Sequence, residues 1–330
     1  MRVDEDRETL AGLAAYLATN SAVADKVSIQ RAYAPAQALA GAVRVGDDCA
    51  AIPDGDGFLL FAAEGMLESF VADDPWFAGY CAVMVNLSDV AAMGGRPIAV
   101  VDVMWAPKRE KTAAIWEGMA AASGLYGVPI VGGHTTLTKS GDAHLAAAVL
   151  GKANRLMTSF DARPGDELLI AVDLRGSYRK GKPFWNASVG APAQRLRGDL
   201  AILPALAESG ARIAGKDISN GGIVGTLAML MECSGVSAEL RLDDLPKPET
   251  ADLARWLVSF PSFGYLLSVA PEDAAGVMRR FHGRDIACAS VGRITEGLTN
   301  GESGAERAVR GKLTLCFGQA KQDFAMHDGE

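Results

Sequence analysis

Four short clusters contain the residue types that handle phosphate and metal ions. Gly46-Asp47-Asp48 sets two adjacent carboxylates before the apolar run Cys49 to Ile52. Neighbouring negative charges beside a core are costly unless a cation or strong donors neutralise them, and Mg²⁺ on a polyphosphate is a common solution. A solvent-facing turn is the plainer reading of the same triplet. Asn86-Leu87-Ser88-Asp89 runs towards Gly94-Gly95. Residues three apart on a helix share a face, so Asn86 and Asp89 can point together while Cys81, Met84, Val85 and Leu87 pack. A polar helix face ending in a glycine C-cap has the same pattern. In Gly132-Gly133-His134-Thr135-Thr136, a loop with two glycines would let backbone amides converge on phosphate oxygens, with His134 and Thr135 adding donors. The alternative is a turn with a core-facing histidine. Finally, Lys216-Asp217-Ile218-Ser219-Asn220-Gly221-Gly222 opens the apolar helix Ile223 to Cys233. Ser219 or Asn220 can cap that helix. Capping explains neither Asp217 nor two glycines in a first turn, where helix propensity disfavours them, and an anion there would explain both.

These clusters need elements to hold them. Periodicity predicts a helix over 8–18 and a hairpin of strands Arg44 to Ile52 and Phe58 to Ala63 about the turn Pro53 to Gly57. A helix from Pro75 to Met93, a strand Pro97 to Trp105, and a helix Lys108 to Tyr126 stopped by Gly127 follow. Further strands are expected at Val128 to Gly132 and Ala143 to Gly151. The turn Arg163-Pro164-Gly165-Asp166 marks the second half, with strands near 167–173, 236–242, 263–270 and 286–294 and helices near 200–209, 219–234, 248–257 and 272–282. Both halves mix strand and helix, so the fold class is α/β in the broad sense, including α+β.

At 330 residues the chain exceeds one core, and two domains are expected, 1–155 and 156–330. A composition 49% hydrophobic and 22% charged suits a folded protein. The net charge of −8 argues against nucleic acid or an anionic membrane as partner. One short basic stretch, Arg175 to Lys182, suits a small anionic ligand or a solvated loop. No apolar run is long enough to span a bilayer, and the acidic start Asp4-Glu5-Asp6-Arg7-Glu8 does not read as a signal peptide, so a cytoplasmic protein is expected. Five scattered cysteines (Cys49, Cys81, Cys233, Cys288, Cys316) without a C-x-x-C pair indicate neither zinc nor a disulfide framework. His144, His282 and His327 fall in no motif.

In order and spacing, the clusters resemble the AIR synthase (PurM-like) superfamily. The matching segments are Gly46-Asp-Asp-Cys-Ala-Ala51, Asn86-x-Ser-Asp-x-x-Ala-Met-Gly-Gly-x-Pro97, Gly132-Gly-His-Thr135, Arg163-Pro-Gly-Asp166 and Asp217-Ile-Ser-Asn-Gly-Gly222. The resemblance implies an N-terminal domain of sheet and helices that pairs with a second copy as a dimeric β-barrel. It also implies a C-terminal α/β sandwich closing over ATP. It casts Asp48, Asp89 and Asp217 as Mg²⁺ ligands with Asp47 and Glu64 as neighbours. Gly46, Asn86, Gly132, Gly133, Thr135, Ser219 and Asn220 would line the nucleotide, and Asp48, Asp217 and His134 would be catalytic. Lys180, Lys182, Trp185 and Asn186 would meet the acceptor.

Departures separate this chain from individual members. Where thiamine-monophosphate kinase has Thr-Thr-Asp, Gly-Gly-Asp-Thr and Asp-Ile-Ser-Asp-Gly, this chain has Ala62-Ala63-Glu64, Gly132-Gly133-His134-Thr135 and Asp217-Ile218-Ser219-Asn220-Gly221. Selenophosphate synthetase is similar at Ala92 to Ile98, but its N-terminal catalytic Cys or selenocysteine has no counterpart in residues 1–45. The resemblance therefore implies an ATP- and Mg²⁺-dependent phosphotransferase or amide-activating ligase acting on a small-molecule acceptor. A thiamine-monophosphate kinase and a non-catalytic nucleotide-binding partner protein are the alternatives.

Overall fold

The computed structural model describes residues 9–41, 43–139, 141–299 and 309–324. The acidic start of the chain and His327 lie outside them. In chain order the elements are α1 (Leu10–Ala18), α2 (Ser21–Leu39), β1 (Ala50–Asp54), β2 (Gly57–Gly65), α3 (Glu68–Asp73), α4 (Pro75–Ala92), β3 (Arg96–Ala106), α5 (Glu110–Tyr126), β4 (Ile130–Leu137) and β5 (His144–Ala153). There follow β6 (Glu167–Val172), β7 (Ser177–Tyr178), β8 (Trp185–Asn186), α6 (Ala193–Leu200), α7 (Ile202–Glu208), β9 (Ile213–Asp217), α8 (Gly222–Ser234), β10 (Ser237–Arg241) and α9 (Leu253–Leu257). The last are β11 (Gly264–Val269), α10 (Pro271–His282), β12 (Ala287–Thr295), β13 (Leu298–Thr299), β14 (Val309–Arg310), β15 (Leu313–Phe317) and β16 (Ala320–Phe324). Among the described residues no helix is long and apolar enough to cross a membrane.

The chain forms two compact units. One comprises Asp48–Leu156 and Gly190–Ser209. Its sheet has the order β1-β2-β5-β3-β4, with β3 and β4 parallel and the other pairs antiparallel. α4 starts at Pro75, whose missing N–H costs nothing at that position, and Asp74 caps it by accepting from Phe77 N–H. α5 stops at Gly127, which takes φ 74°, a left-handed value that glycine adopts freely. Side chains alternate across the strands. Leu60, Val100, Met104 and Val149 are buried on the helix-covered face, while Ile52, Phe61, Val101, Trp105 and Leu150 on the other face stay 38% to 50% exposed.

The other unit comprises the chain up to Asp47, Met157–Val189 and the chain from Gly210 onward. Its sheet order is β16-β15-β10-β12-β6-β11-β9, antiparallel except for β10 beside β15. Leu168, Ile170, Ile223, Leu227, Trp256, Leu266 and Leu315 belong to its core.

The expected boundary between 155 and 156 falls beside the break at 156/157, but two segments cross it. α1 packs on β15 and β16, and α2 packs on α8, which places the N-terminal segment in the seven-stranded unit. Residues 190–209 return to the five-stranded unit. There Arg197 donates to the carbonyls of Leu125 and Gly124 (both 2.9 Å), and Glu208 takes a 2.6 Å ion pair from Arg96. Other corrections are local. The strand expected from Arg44 begins only at Ala50, the strand expected to stop at Gly132 runs on to Leu137, and the helix expected near 248–257 shortens to Leu253–Leu257.

Candidate metal and nucleotide site

In the five-stranded unit, Asp48 lies two residues before β1 and Asp89 sits in the last turn of α4. The N–H of Cys49 donates to Met93 Sδ (3.0 Å), fastening the segment after Asp48 to the end of the helix that carries Asp89. A carboxylate oxygen of each acid lies within 4.8 Å of the other, and Asp89 is only 5% exposed. Two full negative charges at that spacing repel by roughly 3 kcal/mol at an effective dielectric near 20, so the pair favours a cation. The donors are hard carboxylate oxygens, the set that suits Mg²⁺ and Ca²⁺ and not a soft metal. Among the described residues of this unit, Glu64 and His134 do not share that cluster. Glu64 is exposed near the end of β2, opposite Ala147 of β5.

The remaining expectations for this unit change in structure. Asn86 is fully buried, not turned to a ligand: its Nδ2 donates to the carbonyls of Ala82 (2.8 Å) and Ala147 (3.3 Å), tying α4 to β5. Gly132 to Thr136 are not a loop but part of β4, an edge strand. Gly133 stands beside Asp102 of β3, where an added Cβ would lie 1.9 Å from Asp102 Oδ1, so that glycine makes room for a side chain and not for a phosphate. His134 pairs with Val103, one residue on, and therefore falls on the opposite face of the sheet from Asp102, exposed. Gly132 and Thr135 are exposed on the same strand.

Asp102 is an acid that the motifs did not reveal. It is 1% exposed, neither carboxylate oxygen has a hydrogen-bond partner among the described residues, and burial pushes its pKa up. Its only sequence signal is a charge in the otherwise apolar run Ala99 to Trp105.

The seven-stranded unit holds Asp47 and Asp217. Asp47 accepts from Ser159 N–H (2.9 Å) and Ser159 Oγ (2.7 Å) and lies 3.6 Å from Lys216 Nζ. Its charge is thus met from within that unit. Gly46, at φ 109°, accepts through its carbonyl from Cys233 Sγ (3.5 Å). Asp217 ends β9, 2% exposed, and accepts from Ser262 Oγ (2.5 Å). Neither Ser219 nor Asn220 caps α8, because the helix starts one residue later, at a Gly221 cap with φ 86° and no side-chain bond. Cβ atoms at Gly221 and Gly222 would meet the carbonyls of Ala22 (2.7 Å) and Leu257 (2.5 Å). Close backbone approach, not an anion, accounts for both glycines.

Of the expected acceptor residues, Trp185 is in the core, 5% exposed, packed edge-on against Tyr178 and Trp256, with its indole N–H donated to the Asp173 carbonyl (2.8 Å). Asn186 Oδ1 is occupied by the N–H groups of Ser188 (3.3 Å) and Val189 (2.9 Å). Trp185 is thereby structural, and the Asn186 oxygen is engaged within its own turn. Lys180 and Lys182 are exposed on the intervening turn. No disulfide joins the five cysteines, and burial pushes the Cys288 thiol up to about 12.

Two family models match the chain. The AIR synthase related protein N-terminal domain covers residues 46–153, and the AIR synthase related protein C-terminal domain covers residues 188–301. The uncharacterized protein sll0787 of Synechocystis sp. is 48% identical over 78% of this chain and 80% of its own length. A thiamine-monophosphate kinase of Synechococcus elongatus is 26% identical over 79% of this chain and 86% of its own. The solved structure of T. maritima PurL complexed with ADP shares the fold, with a TM-score of 0.68 and 18% identity over 85% of this chain. This chain spans 46% of that PurL. The matches to both domain models, in the same order as the five motif segments, make the chain a member of the AIR synthase related family.

Proposed function

We propose that the chain binds Mg²⁺-ATP and transfers its terminal phosphate to a small-molecule acceptor, as a kinase or as a ligase that activates an amide or carbonyl oxygen. The Asp48–Asp89 pair carries this reading, since two carboxylates within 4.8 Å, one of them buried, favour a divalent cation. Magnesium held there supplies charge neutralisation on a polyphosphate, the main requirement of phosphoryl transfer. Asp48 and Asp89 hold the ion through oxygens positioned by β1 and α4. Asp217 takes the same role from the resemblance, its carboxylate oriented by Ser262. The names of the relatives support the reading, since one is a thiamine-monophosphate kinase and a PurL of this fold is solved with ADP. By the same resemblance, the working protein is a homodimer joined through the exposed face of the five-stranded sheet.

The test is calorimetric titration of ATP, with and without Mg²⁺, into the wild type, Asp48→Asn, Asp89→Asn and Asp217→Asn. Binding is expected only with Mg²⁺ and is weakened at least about tenfold in each variant, the scale of lost metal contacts. An acceptor screen then starts with thiamine monophosphate and reads ADP release. A wild type that binds no Mg²⁺-ATP overturns the proposal, and binding without turnover on any acceptor favours a nucleotide-binding partner protein.

A further inference from the structure

Asp47 and Asp48 are neighbours in the chain, yet they meet different surroundings. The side chains of Asp47 and Lys216 are each 1% exposed and 3.6 Å apart. A carboxylate offers about four lone-pair sites. Around Asp47, Ser159 N–H takes one oxygen at 2.9 Å, and Ser159 Oγ at 2.7 Å shares the other with Lys216. The arrangement is braced behind: Ser159 accepts through its carbonyl from Ser234 Oγ (2.6 Å), and Cys233, one residue earlier, bonds the Gly46 carbonyl. Lys216 is fixed in β9 by the ladder to Leu266.

From this we infer that Lys216 is a resident cation for Asp47, doing for it what a metal ion would otherwise do. A divalent ion on Asp47 Oδ1 would face the ammonium across a few ångströms in a buried setting, where like charges are poorly screened. The adjacent acids are therefore divided. Asp47 is an ion-paired structural residue, and the metal requirement falls on Asp48 with Asp89. The assignment of Asp48 rests on the function proposed above, whereas the pairing of Asp47 with Lys216 does not, so the two can fail separately.

The experiment compares Asp47→Asn, Lys216→Met, the double variant and Asp48→Asn in the full chain, by thermal unfolding in chelator and by Mn²⁺ binding read by electron paramagnetic resonance. Each single change removes one charge of a buried ion pair, so both should lower the midpoint in chelator. The double variant should recover most of the loss, a non-additivity that marks direct coupling. Its Mn²⁺ affinity should stay within about twofold of the wild type, whereas Asp48→Asn should lose at least about tenfold. Because the double variant removes both charges together, it serves even if the single variants do not fold. A double variant as unstable as the worse single, or one whose Mn²⁺ affinity falls with that of Asp48→Asn, overturns the inference. Wild-type protein that binds no Mn²⁺ while the stability coupling holds overturns only the metal role of Asp48.

Discussion

Asp102 shows what a single side chain can disclose that no motif does. Burial is the main cause of its raised pKa, because the ionised form loses hydration and its own backbone offsets only part of that loss. The folded state therefore binds this proton more tightly than the unfolded chain. Asp102 penalises folding increasingly as pH rises from the ordinary carboxyl range to its raised value, and the penalty stays constant above it. Asp102→Asn removes the titration while nearly keeping the shape. The stability of the variant relative to wild type should thus be higher at neutral pH than near pH 4, as measured by urea midpoints across that range. A variant that loses ground as pH rises would show instead that the ionised carboxylate is stabilised in the fold. Lys216 belongs with Asp102 among residues that the sequence could not assign. A lone charge inside an apolar strand gives no clue to whether a partner from a distant segment meets it, as Asp47 does here, or none does. Asp48 and Asp89 were legible because each lies in a run whose order and spacing matched a family, whereas Trp185 was misread because an aromatic in a polar loop looks the same in sequence whether it faces solvent or the core.

At the scale of elements, boundaries with strong local chemistry were readable: Pro75 starts α4, Gly127 ends α5, and the five-strand pattern alternates plainly. Where the local signal was weak, elements were missed. The segment forming α2 has no clear apolar stripe and contains Pro35 in its sequence, and the helix is held through tertiary packing on α8. The polar second half of β4, from Gly133 on, was read as a loop because an edge strand with one open side needs few apolar residues. Nor did the sequence show how α4 and α5 meet. A Cβ on Gly79 would stand 2.1 Å from the Ile115 carbonyl oxygen, and one on Gly118 would stand 1.9 Å from that of Trp76, so the two helices cross almost backbone to backbone. Gly118→Ala must push them apart and should cost about 1–3 kcal/mol, since overpacking cannot relax against backbone. Gly124→Ala on the same helix meets nothing within 4 Å and should be neutral or stabilising, by up to about 1 kcal/mol through helix propensity. Chemical denaturation of the two variants checks the contrast. Equal effects would mean that the close crossing does not limit the packing of α4, the helix that bears Asp89.

At the scale of the molecule, the five-stranded sheet poses the remaining question, because only one of its faces is covered by its own helices. Ile52, Phe61, Val101, Trp105 and Leu150 come from four strands and share the open face, each between 38% and 50% exposed. Contiguous apolar surface of this kind, as opposed to scattered single residues, marks an interaction surface. The resemblance supplies a second copy as the occupant, and closing two such sheets on each other also shelters their edges. Trp105 is the sharpest probe, since large aromatics dominate the energetics of well-buried interface centres. Trp105→Glu should weaken self-association by about 2 kcal/mol or more, a shift of at least about thirtyfold in the dimer dissociation constant. Sedimentation equilibrium over a concentration series reads that shift directly, with circular dichroism confirming that the variant keeps its fold. Val101→Lys on the same face should act in the same direction, while Lys321→Gln, on an exposed side chain of the seven-stranded unit that pairs with Glu239, should leave association unchanged. A wild type that stays monomeric at every concentration would remove the dimer from the proposed function while leaving the Asp48–Asp89 site standing, because that pair lies within one unit of one chain.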